Sequence, residues 1–222
     1  MGCSGSNVRK TKQVIFVIGG PFSGKEVLCP KIQSAFGWTH LDLEDLITAA
    51  KEQNVQTVND VINNDLAVPS DKLCLYMKEE FNTRKYNRVL LEDFPKNEEN
   101  VKQWNEIMND YTVELVIYVK CSTNVMKERM EEKSTKTQEE KEIIAMNINS
   151  YESDMKNIIS NFESKGILLE VDGEKAVEDV FNDIKKEMVN KGLTEEEYYI
   201  DIEKKNNIIY KKIRFNIVFG YS

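Results

Sequence analysis

Histidine is almost missing: the 222 residues include one, His40. That scarcity excludes a histidine metal cluster and a nucleophile triad built on histidine, and His40 itself reads as a hydrogen-bonded residue at a strand end. Cysteine is sparse as well. Cys3, Cys29, Cys74 and Cys121 are widely separated and none sits at metal-ligand spacing, which suits a reducing, cytoplasmic setting. Ten glycines and four prolines are too few for a linker-rich chain, and 41% hydrophobic with 31% charged residues is a globular balance. Positive charge is in deficit. Thirty Lys and Arg face 38 Asp and Glu, a net charge of −8, which argues against a nucleic-acid backbone as partner because phosphate chains need a basic face. No run reaches the ~20 apolar residues of a membrane span, and no secretory signal precedes the first apolar segment.

The first residues, Met1-Gly2-Cys3-Ser4-Gly5-Ser6, fit an N-myristoylation pattern at Gly2, with Cys3 as a second acylation site. Two acyl chains hold a membrane stably where one does so only marginally. Residues 1–12 are therefore expected to be a leader that associates with the cytosolic face of a membrane, with a plain flexible leader as the alternative.

Beyond residue 12, short apolar runs alternate with helical patterns. Strands are predicted at Gln13–Ile18, Trp38–Leu43, Arg88–Leu91, Val113–Val119 and Ile167–Val171. Helices are predicted from Gly24 to Phe36, over Leu43–Lys51, Thr57–Asn64, Ser70–Tyr86, Asn97–Met108, Asn124–Lys133, Glu142–Ser164 and Val177–Asn190. Alternating strands and helices imply an α/β fold, a five-stranded parallel sheet with helices on both faces. Residues 131–142 are wholly polar and are expected to form an excursion. Residues 191–222 read as an extension: a helix opened by the capping pair Thr194 and Glu197, then a strand whose stripe is Ile213, Phe215, Ile217, Phe219 and Tyr221.

One motif carries chemistry. Gly19-Gly20-Pro21-Phe22-Ser23-Gly24-Lys25 has the spacing of a phosphate-binding loop and lies between a strand and a helix. Its glycines let successive backbone N–H groups turn toward an anion, the helix N-terminus adds partial positive charge, and Lys25 can reach terminal phosphates. The two following residues break the pattern. Glu26 and Val27 stand where a Ser or Thr hydroxyl would hold magnesium; Val27 offers no oxygen, and Glu26 brings negative charge to a helix start meant for phosphate.

Four segments in order, VIFVIGGPFSGKEVLCPKI, GWTHLDLEDLI, LLEDFPKNEEN and VDGEKAVEDVF, resemble the nucleoside monophosphate kinases of the adenylate and UMP-CMP kinase branch over roughly residues 13–190. The resemblance implies a P-loop NTPase fold with a helical insert for the monophosphate at about 43–70 and a short lid at about 133–142. It implies ATP with magnesium as donor, a nucleoside monophosphate as acceptor, and a monomer. By position, Gly20, Pro21, Phe22, Ser23, Gly24, Lys25, Glu26 and Val27 fall on the donor's phosphates, and Arg129 and Lys175 fall beside its base. Asp42, Thr48, Glu92, Lys96 and Asn100 fall on the acceptor side. Glu92 replaces the aspartate that positions magnesium, through water rather than as a direct ligand, and Asn100 sits where a pyrimidine is read.

Arginines that the family uses as phosphate clamps are largely replaced. Thr48 and Lys96 occupy two such positions on the acceptor side, Lys133 another beside the donor, and Glu139 and Asn147 the two in the lid. Lys25, Lys96 and Lys133 remain as the expected catalytic cations. A single arginine finger is worth ~10³–10⁵ in rate, and lysine keeps the charge without the bidentate fork. The sequence therefore implies a nucleotide-binding protein of this ancestry with weak or lost transfer, the alternative being an inactive, membrane-tethered nucleotide-binding scaffold or sensor.

Overall fold

The computed structural model describes residues 12–52, 68–133, 135–194, 199–204 and 207–212. Gly2, Cys3, the helix expected at Thr57–Asn64 and the stripe from Ile213 to Tyr221 lie outside them. In chain order the elements are β1 (Lys12–Ile18), α1 (Lys25–Phe36), β2 (Thr39–Asp42), α2 (Leu43–Glu52), α3 (Ser70–Thr83), β3 (Arg88–Glu92), α4 (Glu98–Ile107), β4 (Tyr111–Lys120), α5 (Thr123–Lys133), α6 (Gln138–Ser164), β5 (Leu168–Asp172), α7 (Val177–Asn190), β6 (Tyr199–Lys204) and β7 (Asn207–Lys212).

Strands β1 to β5 form one sheet in the order β2-β3-β1-β4-β5, and every pairing within it is parallel. β1 lies at the centre because it is apolar on both faces: Val14 to Ile18 are each no more than 1% exposed. Alternation splits its side chains between two cores. Val14, Phe16 and Ile18 pack with α2, α3, α4 and α6, where Phe16 meets Trp104 edge-on at 4.9 Å and Phe94 at 5.3 Å. Ile15 and Val17 pack with Leu28, Cys29 and Ile32 of α1 and with Val180, Ile184 and Met188 of α7. Both faces of the sheet are thus covered, as the alternating pattern predicts for parallel strands.

Two expectations are corrected. The polar segment 131–142 is helical at both ends, because α5 runs to Lys133 and α6 starts at Gln138 rather than Glu142. Thr137 caps it: the Glu140 N–H donates to Thr137 Oγ1 at 3.3 Å, and the Thr137 N–H donates back to Glu140 Oε2 at 2.8 Å. This reciprocal box satisfies two orphan donors and fixes the helix start. In the C-terminal extension, residues 199–204 and 207–212 pair as an antiparallel hairpin where the capping pair at Thr194 places a helix. Upstream of the hairpin, Leu193 anchors to the domain: its carbonyl accepts from Trp38 Nε1 at 3.0 Å and from Arg88 at 2.7 Å, and the Arg88 guanidinium lies 4.5 Å over the Trp38 ring.

Candidate phosphate-binding site

The loop after β1 closes through close backbone approach. A Cβ on Gly19 would stand 2.5 Å from Ser23 Oγ and 2.8 Å from the Val119 carbonyl, and one on Gly20 would stand 2.6 Å from Met126 Sδ. Gly24 is the N-cap of α1 at φ 109, a conformation that only glycine enters freely. Phe22 is held at φ 60 against Met126, Met130 and Ile148. Ser23 is wholly buried, and its hydroxyl has no hydrogen-bond partner among the described residues.

Arg129 of α5 pins the loop from outside. Its guanidinium donates to the carbonyls of Phe22 at 3.3 Å, Ser23 at 3.2 Å and Gly173 at 2.9 Å, joining the loop to the turn after β5. In that turn Lys175 is exposed and pairs with Asp183 at 3.5 Å, while Glu174 accepts from the Ser122 N–H at 2.7 Å. Between this turn and the loop opens a cleft of about 670 Å³ lined by Gly20, Cys121, Met126, Tyr151 and Lys175 among others.

Lys25 is only 4% exposed. Its ammonium donates to the Gly20 carbonyl at 3.1 Å and pairs with Asp93 Oδ1 at 3.2 Å. Asp93, at φ 61 just past β3, has its N–H on the Val17 carbonyl at 3.0 Å. Sequence reasoning passed over this residue. It occupies the fourth position of LLEDFPK, where the Asp-Gly-Phe-Pro-Arg motif that Glu92–Lys96 resembles has glycine, and the signal was the extra carboxylate following Glu92. An acid of the chain itself therefore occupies the lysine that a polyphosphate would use.

Glu92 is buried beside it. Burial pushes its carboxyl up, but the hydrogen bond from His40 and the charge of Lys25 outweigh that and hold it below the ordinary glutamate value. His40 Nε2 lies 2.8 Å from Glu92 Oε2, which makes the one histidine the strand-end partner expected of it. For a hard dication, Val27 presents only carbon and is 40% exposed, so the fitting donors near Lys25 are the carboxylates of Glu92 and Asp93.

The acceptor-side residues behave differently from one another. Asp42 caps α2, its Oδ1 accepting from the N–H groups of Glu44 at 2.8 Å and Asp45 at 3.1 Å. Burial pushes its carboxyl up despite those bonds. Thr48 is exposed on α2, and Lys96 pairs with Glu44 at 3.3 Å. Asn100, proposed from sequence to read a base, is 4% exposed and engaged inside the protein: its Oδ1 accepts from the Lys96 N–H at 2.9 Å and its Nδ2 donates to Ser70 Oγ at 2.8 Å. Lys133, Glu139 and Asn147 are all exposed on α5 and α6. Among the described residues the other arginines are remote from the loop: Arg84 pairs with Glu80 at the end of α3, and Arg88 opens β3 at the opposite end of the strand from Glu92.

A family model described as adenylate kinase matches residues 17–167. The chain is 28% identical over 188 residues to a UMP-CMP kinase of Bos taurus, covering 78% of this chain and 95% of that protein. It is 28% identical over 180 residues to UMP-CMP kinase 2 of Caenorhabditis elegans, covering 78% and 94%, and 30% identical over 186 residues to a UMP-CMP kinase of Danio rerio, covering 78% and 95%. The match runs from the end of β1 to the residue before β5 and includes the phosphate loop and the β3 motif. The chain belongs to the adenylate kinase family, within the nucleoside monophosphate kinases.

Proposed function

We propose that this chain binds ATP through the Gly19–Lys25 loop and transfers its terminal phosphoryl group slowly to a nucleoside monophosphate, with UMP and CMP the first acceptors to try because its relatives include UMP-CMP kinases. The observation that carries the reading is the loop itself: a curled backbone with a buried, unpartnered Ser23 hydroxyl and the Lys25 ammonium converging at the start of α1. Phosphoryl transfer is mostly positioning and charge stabilisation, so a bound donor and acceptor still gain rate when the flanking arginines are few. Lys25 would neutralise charge on the donor's phosphates, Lys96 and Lys133 would stand in for arginine forks, and Arg129 would keep the loop closed around the donor. Magnesium, when bound with the nucleotide, supplies charge neutralisation; Glu92 and Asp93 are the residues that would hold it.

A second reading, nucleotide binding without transfer, is favoured by a specific observation. Lys25 and Lys96 are each paired with an acid, and Arg129 is spent on backbone carbonyls. A coupled assay of diphosphate formation decides, using ATP or GTP as donor and UMP, CMP, AMP or GMP as acceptor, alongside thermal shift with each nucleotide. Turnover abolished by Lys25→Ala supports the enzyme. A shift without turnover supports the binding module, and neither signal at millimolar nucleotide removes both readings. Acylation at Gly2 and Cys3, with membrane association, is a separate proposal, tested by mass spectrometry of the protein isolated from cells.

A further inference from the structure

Behind the phosphate loop, three chemically unlike side chains converge. Cys29 of α1, His40 of β2 and Glu92 of β3 bring a thiol sulfur, an imidazole nitrogen and a carboxylate oxygen within 4.8 Å of one another. Their separation in sequence conceals the group. It forms because β2 and β3 are neighbours in the sheet, with Asp42 opposite Glu92, and because α1 packs over the edge they make. Cys29 is wholly buried, and the side chains of His40 and Glu92 are 18% and 6% exposed.

We propose that Cys29, His40 and Glu92 form a three-ligand site for a Zn²⁺ ion, with a fourth position left open to water. Thiolate, imidazole and carboxylate are the donors zinc takes, and three protein ligands with one open position is an ordinary zinc arrangement. Magnesium prefers oxygen donors alone, so sulfur and nitrogen ligands set this site apart in kind from the one Glu92 and Asp93 would offer a nucleotide's magnesium, and Glu92 can serve only one of the two ions at a time. Zinc bonds of ~2.0–2.3 Å in a tetrahedron set the donor atoms roughly 3.3–3.7 Å apart. His40 and Glu92, now 2.8 Å apart, would open slightly and Cys29 would draw in, movements within reach of side-chain rotation. The Cys29 thiol proton leaves to solvent on binding. Thiolate and carboxylate then neutralise the dication. Lys25, the cation acting on both acids, is itself neutralised by Asp93 at 3.2 Å.

The test uses the full chain without nucleotide, so its outcome is independent of the phosphate-loop reading. Zn²⁺ is titrated in competition with a chromophoric chelator, and Co²⁺ is added separately to look for the near-ultraviolet charge-transfer band of a cobalt–thiolate bond. The expected result is one Zn²⁺ per chain and a thiolate band with Co²⁺. Cys29→Ser and His40→Gln should each weaken Zn²⁺ by at least about tenfold, since losses in the outer shell of a metal site alone reach that size. Cys3→Ser, Cys74→Ser and Cys121→Ser should leave binding intact. No stoichiometric Zn²⁺, unchanged affinity in His40→Gln, or a band that persists in Cys29→Ser would each overturn the site. Should Cys29→Ser fail to fold, the His40→Gln titration and the wild-type Co²⁺ spectrum decide on their own.

Discussion

Exchanging Asp93 for asparagine asks how strongly the chain restrains its own phosphate-binding lysine. Lys25 Nζ and Asp93 Oδ1 are 3.2 Å apart, with side chains 5% and 29% exposed. At an effective dielectric near 20, unit charges at that distance attract by roughly 5 kcal/mol. Water on the exposed side of Asp93 and the cost of desolvation reduce the net value, and hydrogen bonds to charged groups usually retain about 1.5–3 kcal/mol. A polyphosphate must displace or share this partner, so removing the charge should tighten ATP by about 10–100-fold, at 1.4 kcal/mol per decade. Asparagine suits the test because it tolerates the positive φ of 61 that Asp93 adopts.

The free protein should respond in the opposite direction. Lys25 would remain buried without its carboxylate, at a cost of about 1–3 kcal/mol, and saturating ATP should restore that stability. Calorimetric titration of wild type and Asp93→Asn with ATP, once in chelator and once with magnesium, measures both effects. Tighter ATP in chelator combined with weaker Mg-ATP would show that Asp93 also holds the ion. Affinity in chelator that stays within about threefold of wild type, or falls, would refute the restraint.

Arg129→Lys keeps the charge but cannot span the carbonyls of Phe22, Ser23 and Gly173, so nucleotide affinity should fall about tenfold or more by titration. Asn100→Ala should lower stability by about 1–3 kcal/mol in urea, because the buried Lys96 N–H and Ser70 contacts are lost, while the preference between UMP and CMP stays unchanged; a shifted preference with unaltered stability would restore the base-reading role. Asp110 supplies the pH test. Burial pushes its carboxyl up, but the bonds and charges of Lys12 and Lys78 prevail and hold it below the ordinary aspartate value. With a depressed folded value, its contribution is complete above the unfolded value near about pH 3.9 and disappears as pH falls through the folded one. Urea midpoints from neutral to acid pH should therefore show wild type exceeding Asp110→Asn by less than about 1 kcal/mol, a margin that closes on acidification.

What the chain settled by itself is what repeats locally or lies within one short segment. Apolar runs such as QVIFVI and VELVIYV could only be buried strands, and the helical patterns between them required a parallel sheet with both faces covered. The loop Gly19–Lys25 was legible because its glycine spacing and its strand–helix setting occupy adjacent residues. Even the true start of α6 was written in Thr137 and Glu140, a capping pair obscured by the polar residues around it. Tertiary structure alone decided which charges meet. Lys25 and Asp93 are far apart in sequence and pair because β1 and β3 run side by side, which brings the turns after them together. Asn100 reads as a base contact until α3 sets Ser70 against it, and Cys29, His40 and Glu92 share no spacing until β2 docks on β3 beneath α1. Periodicity and turn chemistry are properties of neighbouring residues, whereas electrostatic partnership depends on distance in space, which a linear chain acquires only by folding.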